Sequence, residues 1–98
     1  MPRVIWLPDA LKDARRLRLF LEDKSPIAAK RAAKTLQNGE NMLANYPEAG
    51  SPLNDGTGRR ELIQPFGSGA YVLRYVVDNQ TVFIVRAWHS KENRNEIS

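Results

Sequence analysis

A chain of 98 residues, 42% apolar and 27% charged, suits one compact domain over residues 1–98 with a single core, and that balance excludes disorder and a membrane class. No cysteine and one histidine remove disulfides, thiolate chemistry and thiolate zinc sites, so no metal and no cofactor are expected. Fifteen basic against 11 acidic residues give a net charge of +4 and a pI near 9.8, which suits nucleic acid or an acidic protein as partner and which solubility alone also selects.

No apolar run approaches the roughly 20 residues that span a bilayer. The N-terminus MPRVIWLPDA has no signal-peptide apolar region, so a cytoplasmic protein without membrane contact is expected. Val4-Ile5-Trp6-Leu7, stopped by Pro8, reads as a first strand. Asp9 can cap a helix whose apolar positions Ala10, Ala14, Leu17 and Leu21 recur at steps of three and four and which ends near Lys24. Ser25-Pro26 restarts a second helix over residues 26–45. Ala28, Ala29, Ala32 and Ala33 keep one side of it slim, and Gly39 weakens its last turns.

Tyr46-Pro47 ends the helical half, and PEAGSPLNDGTG reads as an irregular connection. Three strands follow, at 59–64, 70–77 and 81–88, the last two joined by a tight turn at Asp78-Asn79. The end of the chain, KENRNEIS, is a short polar tail. Strand, helical hairpin and antiparallel meander make an α+β domain with the helices on one face of the sheet.

Seven of the fifteen basic residues lie on the hairpin, among them Arg15, Arg18, Arg31 and Lys34, and form either a docking surface or a solvated face with pairs such as Arg18 to Glu22. Arg74 and Arg86 interrupt apolar strands, and His89 ends the last one. An even loop of Asp78-Asn79 would pair Arg74 with Phe83 and put it on the face of His89, whereas an odd loop would put Arg74 and Arg86 on one face and His89 on the other. A nuclease would need a proton-transfer group and phosphate-holding cations in one concave site, for which His89, Glu61, Arg60 and Arg74 are the right types. The alternative places these arginines on the open face of an antiparallel sheet.

The stretches VIWLPDALKDARRLRLFLEDKSPIAAKRAAKTL, YPEAGSPL, RRELI and AYVLRYVVDNQTVFIVRAWHS resemble, in that order, the RelE/ParE superfamily of type II toxins, across nearly the whole chain. The features that carry the resemblance are Pro47 to Gly50 at the hairpin exit, Arg60 opening the next strand, Tyr71 to Tyr75, and His89 closing the last strand. RelE-type nucleases place an arginine after the glycine-tyrosine of the penultimate strand and an aromatic near the C-terminus. This chain has Val72 and Ile97 there, with Lys91 and Arg94 keeping some basic character, and so is closer to the ParE branch. The resemblance implies a toxin of a plasmid-stabilisation module that binds DNA gyrase without a catalytic residue, through Arg60, Arg74, Arg86 and His89. It also implies an acidic antitoxin whose C-terminal segment folds across the helical hairpin and the sheet, meeting Arg15, Arg18, Arg31 and Lys34 on the hairpin. A ribosome-dependent mRNA nuclease using His89, Arg60, Arg74 and Glu61 is the alternative, and a binding module without toxicity is the third reading.

Overall fold

The computed structural model describes residues 3–92, so the tail from Asn93, with Arg94 and Ile97, lies outside the described residues. In chain order the elements are β1 (Arg3–Trp6), α1 (Pro8–Glu22), α2 (Pro26–Asn45), β2 (Ser51–Pro52), β3 (Arg60–Phe66), β4 (Gly69–Asp78) and β5 (Thr81–His89). This is the expected α+β order of strand, helical hairpin and meander. The strands form one sheet ordered β1-β5-β4-β3-β2. β1 lies parallel to β5, with Val4 opposite Val82 and Trp6 opposite Ile84, so the first strand closes the sheet beside the last. The connection read as irregular contributes the short edge strand β2, where Pro52 needs no ladder hydrogen bond.

The inner face of the sheet carries Leu62, Tyr71, Leu73, Tyr75, Val82, Ile84 and Ala87, packed on Ala10 and Leu17 of α1 and Ala32, Leu36 and Leu43 of α2. α1 starts one residue before the cap expected at Asp9. Leu7 is its N-cap, without a side-chain cap, because Pro8 fits the first helical position, where no N–H is required. Asp9 falls instead in the first turn, and the helix ends at Glu22 rather than near Lys24. α2 has the expected bounds, and Ser25 Oγ accepts its Ala28 N–H at 3.2 Å. Gly39 is buried against the sheet, where a Cβ would come within 2.9 Å of Leu73 Cδ1, so the glycine that weakens the helix also lets it lie close.

The β4–β5 turn falls on Asn79 and Gln80, one residue later than expected, both in the left-handed region at φ 52° and 66°. The loop is even, yet Arg74 pairs with Arg86 and Tyr71 with His89. A β-bulge causes this: Tyr75 pairs with Ile84 and Arg74 with Arg86, leaving Val85 extra and reversing the alternation beyond it.

Candidate functional site

Beyond Ile84, no strand of the described residues lies beside β5 on the β1 side, and α1 fills that place. Asp13 of α1, 2% exposed, accepts the Ala87 N–H at 2.8 Å, and Arg16 donates to Ala87 O at 3.2 Å, so two side chains stand in for a missing strand. Arg86 closes on the same carboxylate from β5, with Nε donating to Oδ2 at 2.8 Å and Nη2 to Oδ1 at 3.1 Å, while Arg16 holds Oδ1 from one helical turn on. Burial pushes the Asp13 carboxyl upward, but Arg86, the Ala87 N–H and Arg16 outweigh it and hold the carboxyl below its ordinary value. Arg16 also binds Glu92, which accepts the His89 N–H at 2.9 Å, so the same network fastens the chain just past β5.

Tyr75 and Arg60 act together on the loop that leaves the hairpin. The Tyr75 hydroxyl donates to Pro47 O and accepts the Gly50 N–H, both at 2.8 Å, while Arg60 donates to Gly50 O at 2.7 Å. A Cβ on Gly50 would lie 2.7 Å from that hydroxyl and 2.8 Å from Glu61 O, which explains a glycine three residues after Pro47. Glu61 and Arg74 face each other across β3 and β4, and both Arg74 Nε and Nη2 donate to Glu61 Oε2, at 2.9 and 2.7 Å. Arg74 also lies 4.8 Å from the centre of the Trp88 ring.

His89 sits opposite Tyr71 on the inner face, ring centres 5.1 Å apart and edge to face, with Phe66 completing the aromatic group. Its Nε2 donates to Phe66 O at 2.9 Å and its Nδ1 accepts the Lys91 N–H at 3.2 Å, so hydrogen bonding selects the Nε2–H tautomer and occupies both nitrogens. A cavity of about 430 Å³ opens beside this group, between α1 and the β3–β4 turn. Its wall includes Tyr71, whose hydroxyl has no hydrogen bond among the described residues although the side chain is 2% exposed. Burial, with a smaller push from Glu92, raises that hydroxyl above the ordinary phenol value and keeps it protonated.

The four groups suited to nuclease chemistry are divided between the two faces of the sheet. Alternation along β3, β4 and β5 puts Glu61 and Arg74 on the outer face, Arg60 and His89 on the inner one. Arg86 shares a rung with Arg74, but its head turns to α1. The hairpin cations differ. Arg18 meets Glu22 at 3.5 Å with both side chains about half exposed, and Arg15, Arg31 and Lys34 have no ion pair among the described residues. Arg15 and Arg18 edge a groove of about 280 Å³ between α1 and α2, lined also by Leu11, Leu36 and Trp6, the last donating to Glu40 at 2.6 Å.

Asp13, Arg16 and Glu92 were not among the candidate site residues, and Tyr71 stood out only within the Tyr71 to Tyr75 feature of the resemblance. Asp13 carried a usable signal: it falls three residues after Ala10 and four before Leu17, on the apolar stripe of α1, where a carboxylate must find a buried partner.

The family model for the ParE toxin of type II toxin-antitoxin systems, parDE, matches residues 4–94. Toxin RelE2 of Caulobacter vibrioides is 38% identical over 90 residues, covering 92% of this chain and 97% of that protein. Toxin RelE1 of the same organism is 35% identical over 85 residues, 87% and 89% of the two chains. Among solved structures, one described as a chromosomal ParDE TA system from P. aeruginosa superposes with a TM-score of 0.70 at 15% identity, covering 91% of this chain and 96% of that one, a likeness of fold.

Proposed function

The chain belongs to the ParE toxin family of type II toxin–antitoxin systems, and from that premise we propose that it acts by binding its target, DNA gyrase, rather than by cutting RNA. Its family implies an antitoxin partner. The reading takes that antitoxin to be acidic and to lie over the hairpin, onto Arg15, Arg18, Arg31 and Lys34. On the same reading Arg60, Arg74, Arg86 and His89 belong to the gyrase-facing part of the sheet, Arg74 directly from the outer face and the other three by holding the Gly50 loop, α1 and the β3–β4 turn in place behind it.

The observation that supports binding over cleavage is the division of the candidate catalytic groups. Glu61 and Arg74 face away from Arg60 and His89, and both His89 ring nitrogens are held by backbone. Acid–base cleavage needs a group with a free nitrogen or oxygen beside the cations that hold the phosphate. Ribosome-dependent mRNA cleavage is the second reading, favoured by the RelE names of the similar Caulobacter toxins, and it requires either His89 to exchange one of those bonds for substrate or Glu61 to move the proton through Oε1 beside Arg74 on the outer face.

Induction of the chain without antitoxin, followed in one culture by plasmid topology and primer extension on mRNA, tests the proposal. Altered supercoiling or trapped gyrase–DNA breaks with intact transcripts is the expected result. Transcripts cut within codons at normal topology would overturn it in favour of the nuclease, and unaffected growth would overturn both in favour of a binding module without toxicity.

A further inference from the structure

We propose that the cavity between the C-terminal half of α1 and the β3–β4 turn is a second socket for the antitoxin, taking one aromatic side chain that stands beside a carboxylate. The inference rests on the reading of this chain as a toxin held by an acidic partner, and it adds a site separate from the hairpin groove.

Size comes first. At about 430 Å³ the cavity exceeds the hairpin groove of about 280 Å³. It falls within the roughly 300 to 1,000 Å³ that ligand sites occupy. Its walls are apolar, from Leu17, Leu21 and Phe66, and Phe20 stands at its mouth 63% exposed. An exposed phenylalanine edging a concave apolar surface is the arrangement in which aromatic anchors dominate binding.

The Tyr71 hydroxyl supplies the second observation. Its side chain is 98% buried by the residue's 2% exposure, and among the described residues nothing bonds its hydroxyl. No buried side-chain oxygen or nitrogen of the described residues lacks a partner, so this hydroxyl is reached by solvent, and the solvent-filled space it borders is the cavity. A lone donor in an apolar wall orients an occupant that brings an acceptor.

Charge selects the occupant. Lys91 lines the cavity and Lys24 lies 4.3 Å from the centre of the Phe20 ring at the mouth, while Arg16 in the same wall is already engaged by Asp13 and Glu92. Among the described residues lining it the one carboxylate is Glu92, already held by Arg16 and by the His89 N–H. The rim is thus net positive, and an aromatic side chain followed by an acidic one meets both wall and rim. A nucleobase would leave the leucine walls against polar ring edges, which favours the peptide.

The test uses the full chain, labelled with ¹⁵N and titrated with 3-phenylpropionate, with phenethylammonium and with adenosine monophosphate. The proposal expects 3-phenylpropionate to move the amides of Gly67, Ser68, His89 and Lys91 and to bind about fivefold or more tighter than phenethylammonium. Phe20→Ala should abolish that binding, and Tyr71→Phe should weaken it about threefold or more while leaving the fold intact, because the lost hydroxyl has no partner. Absence of shifts, shifts confined to the hairpin, or tighter binding of the nucleotide would each overturn it.

In the complex with the antitoxin, Phe20→Ala should raise the Kd about tenfold. If it leaves affinity unchanged while Arg15→Gln with Arg18→Gln weakens it, the socket is overturned and the antitoxin reading stands. If the parent chain forms no complex with any antitoxin, both fall.

Discussion

Arg86 on β5 and Arg15 on α1 carry the same charge in similar apolar company, yet the fold treats them as different materials. Arg86 is bound through two nitrogens to a carboxylate that is 2% exposed, whereas Arg15 lines an open groove with no ion pair among the described residues. The same division runs through the molecule. The sheet cations Arg60, Arg74 and Arg86, with Arg16 beside them, complete internal hydrogen bonds. The hairpin cations Arg15, Arg31 and Lys34 are left to the solvent. The lesson is that a basic residue reports on function only after its internal partners are known, because an arginine engaged in two internal bonds must break them before it can hold a ligand.

The contrast is tested hardest at Asp13. Asp13→Ala leaves Arg86 and the Ala87 N–H without their shared acceptor, and should destabilise the fold by about 3–5 kcal/mol in urea unfolding. A loss below about 1 kcal/mol would mean that water replaces the carboxylate and that the sheet cations are as free as those of the hairpin.

Asp13→Asn isolates the charge. The folded carboxyl titrates below its ordinary 3.8, so its stabilisation is present above that value and is lost as pH falls through the lower folded one. The stability gap between parent and Asp13→Asn should hold constant between about pH 5 and 7 and close in acid. A gap that widened in acid would assign the stabilisation to another group.

Tyr75→Phe comes next in size. It strips one acceptor and one donor from the Pro47 to Gly50 loop while keeping the ring, and should cost about 1–3 kcal/mol, with Arg60 left as the loop's other brace. Hydrogen exchange at Gly50 should rise with it. Unchanged exchange would show the loop to be held by Arg60 alone.

The smallest stability effects belong to the hairpin. Single Arg15→Gln, Arg31→Gln and Lys34→Gln changes should each move stability by less than about 0.5 kcal/mol. Affinity for an acidic antitoxin should nonetheless fall with each, and its salt dependence should flatten. Stability losses as large as that of Tyr75→Phe would erase the distinction between the two sets.

Much of the architecture was legible because local rules agreed with the fold. Ser25-Pro26 marks the start of α2 by a hydroxyl cap and a fixed φ, and both act where the sequence places them. Alternation put Arg74 opposite in face to Tyr71, Leu73 and Tyr75, and the core holds those three. The register of β5 was not legible. The bulge at Val85 reverses the alternation, and nothing in IVRAWHS marks a bulge when each residue suits a strand. The candidate nuclease quartet suffered from the same gap: residue types were readable, but whether four side chains share a face depends on a register set by packing.

The sequence by itself determined the α+β order, the extent of the second helix, the α+β meander and the family resemblance, because those follow from periodicity, turn chemistry and motif order along the chain. Only the tertiary structure decided which cations are engaged. Asp13 meets Arg86 and Ala87 across more than seventy residues of chain, through the space that β1 leaves open beside β5. That space exists only once the short first strand has paired with the last, and no local pattern encodes it.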